Sequence, residues 1–63
     1  MKRLFNPGDR LQHWRGGIYR IIRFCPIEGY YEYRSEATSE LWRRHHLEME
    51  DGRFTVIQRG EQK

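Results

Sequence analysis

The chain has 63 residues and a net charge of +3, with 37% hydrophobic and 33% charged residues. A chain of about 60 residues buries only about 60% of the surface its unfolded form exposes, which excludes a multidomain enzyme and leaves one small core. A lone cysteine excludes an internal disulfide, and no run approaches the roughly twenty apolar residues of a membrane helix.

The opening residues lack the apolar stretch of a secretory leader. Together with the single free cysteine, this gives an expectation of a reducing, cytoplasmic location with no membrane contact. Residues 1–7 and 59–63 are expected to be flexible, flanking one small β domain. Asn6-Pro7-Gly8-Asp9 is a cluster of turn formers that launches a first strand over 10–14. Gly16-Gly17 follows, a dipeptide that accepts positive φ at both positions, so a hairpin returns through 18–24. Its arms carry Ile18, Tyr19, Ile21, Ile22 and Phe24 for a half-buried surface, and Arg15, Arg20 and Arg23 for a wet one.

Pro26 removes a backbone donor and ends that arm. After the turn at 27–29, the strand 30–34 alternates, with Tyr31 and Tyr33 on the core side and Tyr30, Glu32 and Arg34 on the other. The segment 39–50 admits two readings. Thr38 or Ser39 would cap a helix over 40–50 that puts Leu41, Trp42, His45 and Met49 on one face, with Gly52 beyond its end. The alternative is a strand at 41–43, one 3₁₀ turn at 45–48, and a closing strand at 54–58 after the Asp51-Gly52 turn.

A resemblance favours the second reading. The run Gln12-His13-Trp14-Arg15-Gly16-Gly17-Ile18-Tyr19, the later Tyr33-Arg34, then Leu41-Trp42-Arg43 and Leu47-Glu48-Met49 resemble a family of short bacterial and phage proteins of unknown function. The chain departs from that pattern in its shorter 25–29 loop and in His46, where the family tends to have proline. The resemblance implies an SH3-like barrel, so the expected fold is all-β, a small five-stranded barrel with one 3₁₀ turn that removes its own edges. A fainter resemblance, to plasmid-borne trimethoprim-resistant dihydrofolate reductase, rests on Gly8-Asp9-Arg10 and Glu28-Gly29-Tyr30. Where that enzyme's ligand-binding run would stand, this chain has Leu41-Trp42-Arg43-Arg44, so the similarity implies fold and none of the chemistry.

Enzyme chemistry has little to build on. His45 and His46 are adjacent and point apart in a strand, so at most one joins His13, which leaves a metal site short of ligands. Cys25 reads as a small buried hydrophobe, and no phosphate loop or nucleophile elbow occurs. The expectation is no cofactor, no metal and no catalytic residue.

What remains is a surface of aromatics and arginines. Every basic residue between Lys2 and Lys63 is arginine, a planar fork that grips carboxylates or phosphates and stacks on rings. The bland reading is that the interspersed glutamates pair with these arginines and that about half of the Trp and Tyr rings are core. The functional reading assigns binding to Trp14, Arg15, Tyr30, Arg34, Trp42, Arg43 and Arg44. The expected function is then a non-enzymatic binding module for a protein partner. A weak nucleic-acid binder and a small oligomeric enzyme are the alternatives, and self-association would help so small a core.

Overall fold

The structure of the protein is a computed structural model that describes residues 4–60. Strands β1 (Arg10–His13), β2 (Ile18–Cys25), β3 (Tyr30–Ser35) and β4 (Leu41–His45) lead through one helical turn, α1 (His46–Met49), to β5 (Phe54–Gln58). All pairings are antiparallel, and the five strands form one sheet in the order β4-β3-β2-β1-β5. The chain is thus all-β, and the segment 39–50 is strand plus a single turn instead of an eleven-residue helix.

Two local features decide the meander. In the first hairpin Gly16 and Gly17 take φ of 102° and 95°, the positive region that only glycine enters cheaply. The connection is longer than a two-residue turn: His13 N–H donates to the Gly17 carbonyl, Gly16 N–H donates to that of His13, and pairing resumes at Gln12 and Ile18. At Asn6-Pro7-Gly8-Asp9 the Asp9 N–H donates to the Asn6 carbonyl at 3.0 Å and Gly8 has φ 90°. Proline before a positive-φ glycine is the signature of a type II turn.

The register assigns faces. Tyr19, Ile21 and Phe24 of β2 stand level with Ser35, Tyr33 and Tyr31 of β3, while Leu11 pairs Tyr19 and Val56. These side chains share the inner face, where Leu11, Ile21, Tyr31, Tyr33 and Phe54 are buried together with Phe5 and Met49. A bulge between Ile21 and Arg23 inserts the residue that returns Phe24 to the inner side. The sheet is strongly curled. β3 and β5 are three strand spacings apart in the order, about 14 Å in a flat sheet, yet the Tyr33 and Phe54 rings meet at 5.8 Å between centroids.

Three expectations need correction. The sheet is not a closed barrel: β4 and β5 remain edges, because the segment joining them delivers Met49 into the core instead of pairing the two strands. Both edges are five residues long, and β4 carries Arg43 and Arg44, short length and charge being means of discouraging edge pairing. The helical turn is α, not 3₁₀, and lies one residue later than expected, since Glu50 N–H donates to the His46 carbonyl four residues back. Finally, the loose tail expected over 1–7 does not describe Phe5, which is buried with its N–H donating to the Tyr31 hydroxyl at 3.2 Å. Nor does it describe Arg59 and Gly60, which both donate to the Asp9 carboxylate. Residues 1–3 and 61–63 lie outside the described residues.

Candidate functional site

The seven residues singled out in the sequence fall in three places. Trp14 and Arg15 form the tip of the first hairpin. Trp14 is 65% exposed, and the Arg15 guanidinium lies 4.7 Å from its ring centroid. The tip is braced from below: Trp14 N–H donates to the Arg53 carbonyl at 2.8 Å, and Arg15 N–H to His13 Nδ1 at 3.1 Å. His13 stacks edge-on against Phe54 with centroids 5.0 Å apart, so the exposed indole is anchored through its neighbour to the core. His13, Trp14, Arg15 and Arg53 line a shallow hollow of about 360 Å³ that contains no carboxylate in its lining.

Tyr30, Arg34 and Arg43 lie on the outer face of the sheet, where the register sets Glu32 opposite Arg43 and Tyr30 opposite His45. The Arg43 guanidinium sits 5.4 Å from the Tyr30 ring centroid. Arg23 donates to Glu32 at 3.0 Å and to the Tyr30 hydroxyl at 3.3 Å. This half of the face is a lattice of internal pairs.

The other half is different. Arg10, Arg20 and Arg34 are register partners across β1, β2 and β3, so three guanidiniums stand in one row. Glu36 is the carboxylate among them. Arg10 takes both its oxygens, at 2.8 and 2.9 Å, while Arg20 reaches it only at 3.5 Å. Hydrogen bonds from Arg10, reinforced by the charges of Arg10 and Arg20, hold the Glu36 carboxyl below the usual range. Arg34 donates to the Ser39 carbonyl at 3.2 Å, and Ser39 is the described non-glycine residue with positive φ, 66°. Ile22 and the 35–39 loop complete a groove of about 320 Å³ around the row.

Trp42 and Arg44 stand level with Tyr33 and Tyr31 on the inner side of the β4 edge. Trp42 is 44% exposed. Arg44 is half-buried, with its Nε donating to the Tyr33 hydroxyl at 3.2 Å and a guanidinium nitrogen 3.8 Å from Glu48. It is part of the packing as well as of the surface.

The sequence reading did not select Arg10, Glu36 or Ser39. Their signal is the register, which puts residues ten and fourteen positions apart side by side and is invisible until the bulge in β2 is known. His45 and His46, expected to point apart in a strand, instead bring their rings to 4.5 Å between centroids, because His46 opens α1 rather than continuing β4. His45 Nδ1 accepts from Leu47 N–H, while His13 packs on Phe54. Among the described residues no group of three His, Cys, Asp or Glu side chains is placed to hold a metal ion. Cys25, expected to be buried, is half-exposed at the end of β2. No helix among the described residues is long and apolar enough to cross a membrane. Compared with protein-family models, curated proteins and solved structures, the chain matches none of them.

Proposed function

We propose that this protein is a non-enzymatic binding module that docks through its 14–17 hairpin tip onto an acidic face of a protein partner. The observation that carries the reading is Trp14, an indole held out in solvent on a turn braced by hydrogen bonds to the Arg53 carbonyl and to His13 and overlaid by Arg15. Trp and Arg are the side chains most often found as binding hot spots, and a ring already fixed in place loses little freedom on docking. Arg53 is held by Asp51 at 3.0 Å, so among the described residues the charge left at the tip is that of Arg15, with no carboxylate lining the hollow, and charge complementarity calls for an acidic counterpart. A nucleic-acid partner is the weaker reading. A groove that tracks a strand needs a run of free cations and several stacking rings, whereas Arg10, Arg23, Arg44, Arg53 and Arg59 are each paired with a carboxylate. Within the same proposal, the meander and the Trp42 strand support kinship with the short proteins the chain resembles.

Photo-crosslinking tests this. With benzoylphenylalanine in place of Trp14, irradiation in the native cell is expected to give a protein adduct that excess unlabelled parent suppresses and excess Trp14→Ala does not. The same probe at Thr55, on the outer face, serves as control. Adducts with nucleic acid alone, or none above the Thr55 control, would overturn the reading.

A further inference from the structure

The arginine row on the outer face works against folding as it stands. Like charges directly opposite each other on paired strands are destabilising, and here two such pairs, Arg10 with Arg20 and Arg20 with Arg34, are consecutive. One carboxylate serves three guanidiniums, and Arg10 occupies both of its oxygens. Two positive charges are left uncancelled among the groove's lining residues, on Arg20 and Arg34. The Arg20 side chain is 51% exposed and, among the described residues, has only its long contact to Glu36 at 3.5 Å. Arg34 gives one nitrogen to the Ser39 carbonyl.

The loop beside the row is strained in the same place. Ser39 holds a φ of 66°, a conformation costly for a residue with a Cβ and one that gathers at ligand sites. It is imposed by the loop's own bonds, Ser39 N–H to the Ser35 carbonyl at 2.8 Å and Thr38 N–H to Ser35 Oγ at 3.2 Å. On the far side Ile22, 39% exposed, supplies an apolar wall. A groove of about 320 Å³ is at the small end of ligand pockets, which run from about 300 to 1,000 Å³.

We propose that this groove binds a phosphate monoester of small-molecule size, the phosphate bridging Arg20 and Arg34 and the organic group lying on Ile22. A monoester carries about −1.5 to −2 charges at neutral pH, which matches the two uncancelled guanidiniums. A carboxylate would leave one of them facing the other. Planar guanidinium forks suit phosphate oxygens in particular. The site is separate from the hairpin tip and does not depend on the function proposed for it.

Phenyl phosphate is the probe, followed by ¹H–¹⁵N NMR at constant ionic strength with benzoate and a single-stranded oligothymidylate as comparison ligands. Phenyl phosphate is expected to give saturable shifts centred on Arg20, Arg34 and Ser39, and benzoate much weaker ones. Arg34→Gln and Arg20→Gln are each expected to weaken binding by about tenfold or more, while Trp14→Ala leaves it unchanged. Both Gln variants are expected to melt no lower than the parent, because each removes a like-charge neighbour. Affinity should rise between pH 5 and 7 as the monoester takes its second charge, at a pKa near 6. Equal affinity for benzoate, the absence of saturation, or Gln variants that bind as the parent does would overturn the proposal. So would an oligothymidylate that binds more tightly than phenyl phosphate and shifts Arg15 and Arg44 as well, which would make the face a nucleic-acid surface.

Discussion

Asp9 is fully buried and yet carries a charge, and three donors account for it: Asn6 N–H at 3.0 Å, Gly60 N–H at 2.7 Å and the Arg59 guanidinium at 2.9 Å. Burial by itself pushes the carboxyl pKa up, but the hydrogen bonds from Gly60, Asn6 and Arg59 outweigh it and hold the pKa below the ordinary value. A folded pKa below the unfolded one stabilises the fold above about pH 4, and that stability is lost as the pH falls through the folded value. Asp9→Asn, which keeps shape and loses charge, is expected to cost about 1–3 kcal/mol and to flatten the acid arm of the stability profile, as measured by urea unfolding at several pH values. Tyr31 sets the alkaline arm. Burial first, and then the 2.5 Å hydrogen bond its hydroxyl donates to Glu50, raise its pKa to about 12. The sign is now opposite: the contribution is full below the unfolded pKa near 10 and disappears as the pH rises towards 12. Tyrosinate absorbance should therefore show a late step, and Tyr31→Phe should remove it. As a turn residue Asp9 was legible in Asn-Pro-Gly-Asp. Its clamp was not, because Gly60 is 51 positions away and nothing local marks a glycine as the partner of a buried carboxylate.

The strands are where sequence and structure agree best, and the reason is period two. Tyr31 and Tyr33 alternate with Tyr30, Glu32 and Arg34, and the burial follows that alternation. β4 has no such pattern, since Leu41, Trp42 and Arg43 are all exposed. Its apolar and basic residues suit a helix as well as an edge strand, and only pairing with β3 decides. The bulge in β2 was hidden too: period two from Ile21 leads inward to Arg23, and the inserted residue is what sends Phe24 to the core in its place. The Gly-Gly turn, by contrast, was legible because its chemistry is local. Gly16→Val with Gly17→Val forces two β-branched residues into positive φ, at about 1–3 kcal/mol each, and a Cβ on Gly17 would come within 3.2 Å of the Tyr19 ring. The double variant is expected to melt lower by well over the roughly 4–8 °C that 1 kcal/mol represents in a domain this small, by circular dichroism. A shift of only a few degrees would mean that the turn tolerates the side chains and the register is set elsewhere.

At the scale of the whole molecule the sheet curls far enough for Phe54 to meet Tyr33 and Tyr19 while its two edges stay apart. Charge is arranged by face. The hairpin tip offers a ring beside Arg15, half of the outer face ties Arg23 to Glu32 and Arg43 to Tyr30, and the other half holds the arginine row. Composition alone revealed the arginines and rings but not this sorting, which depends on which residues the register makes neighbours. The clamp at Asp9 has a topological consequence. Arg59 also donates to the Leu4 carbonyl at 3.4 Å, and Gly60 lies so close to the backbone of Pro7 and Gly8 that a Cβ there would approach to 2.6 Å. The path from Leu4 to Gly60 is therefore nearly a ring. Both ends of the described chain leave from one spot, so the fold can be spliced into a surface loop of another protein without being pulled open. A chain opened beside Ile27, which projects into solvent, and rejoined through its old ends is expected to melt cooperatively by circular dichroism provided the His46 N–H bond to the Gly29 carbonyl is kept. In either arrangement the Asp9 carboxylate would act as the clasp that keeps the ring shut.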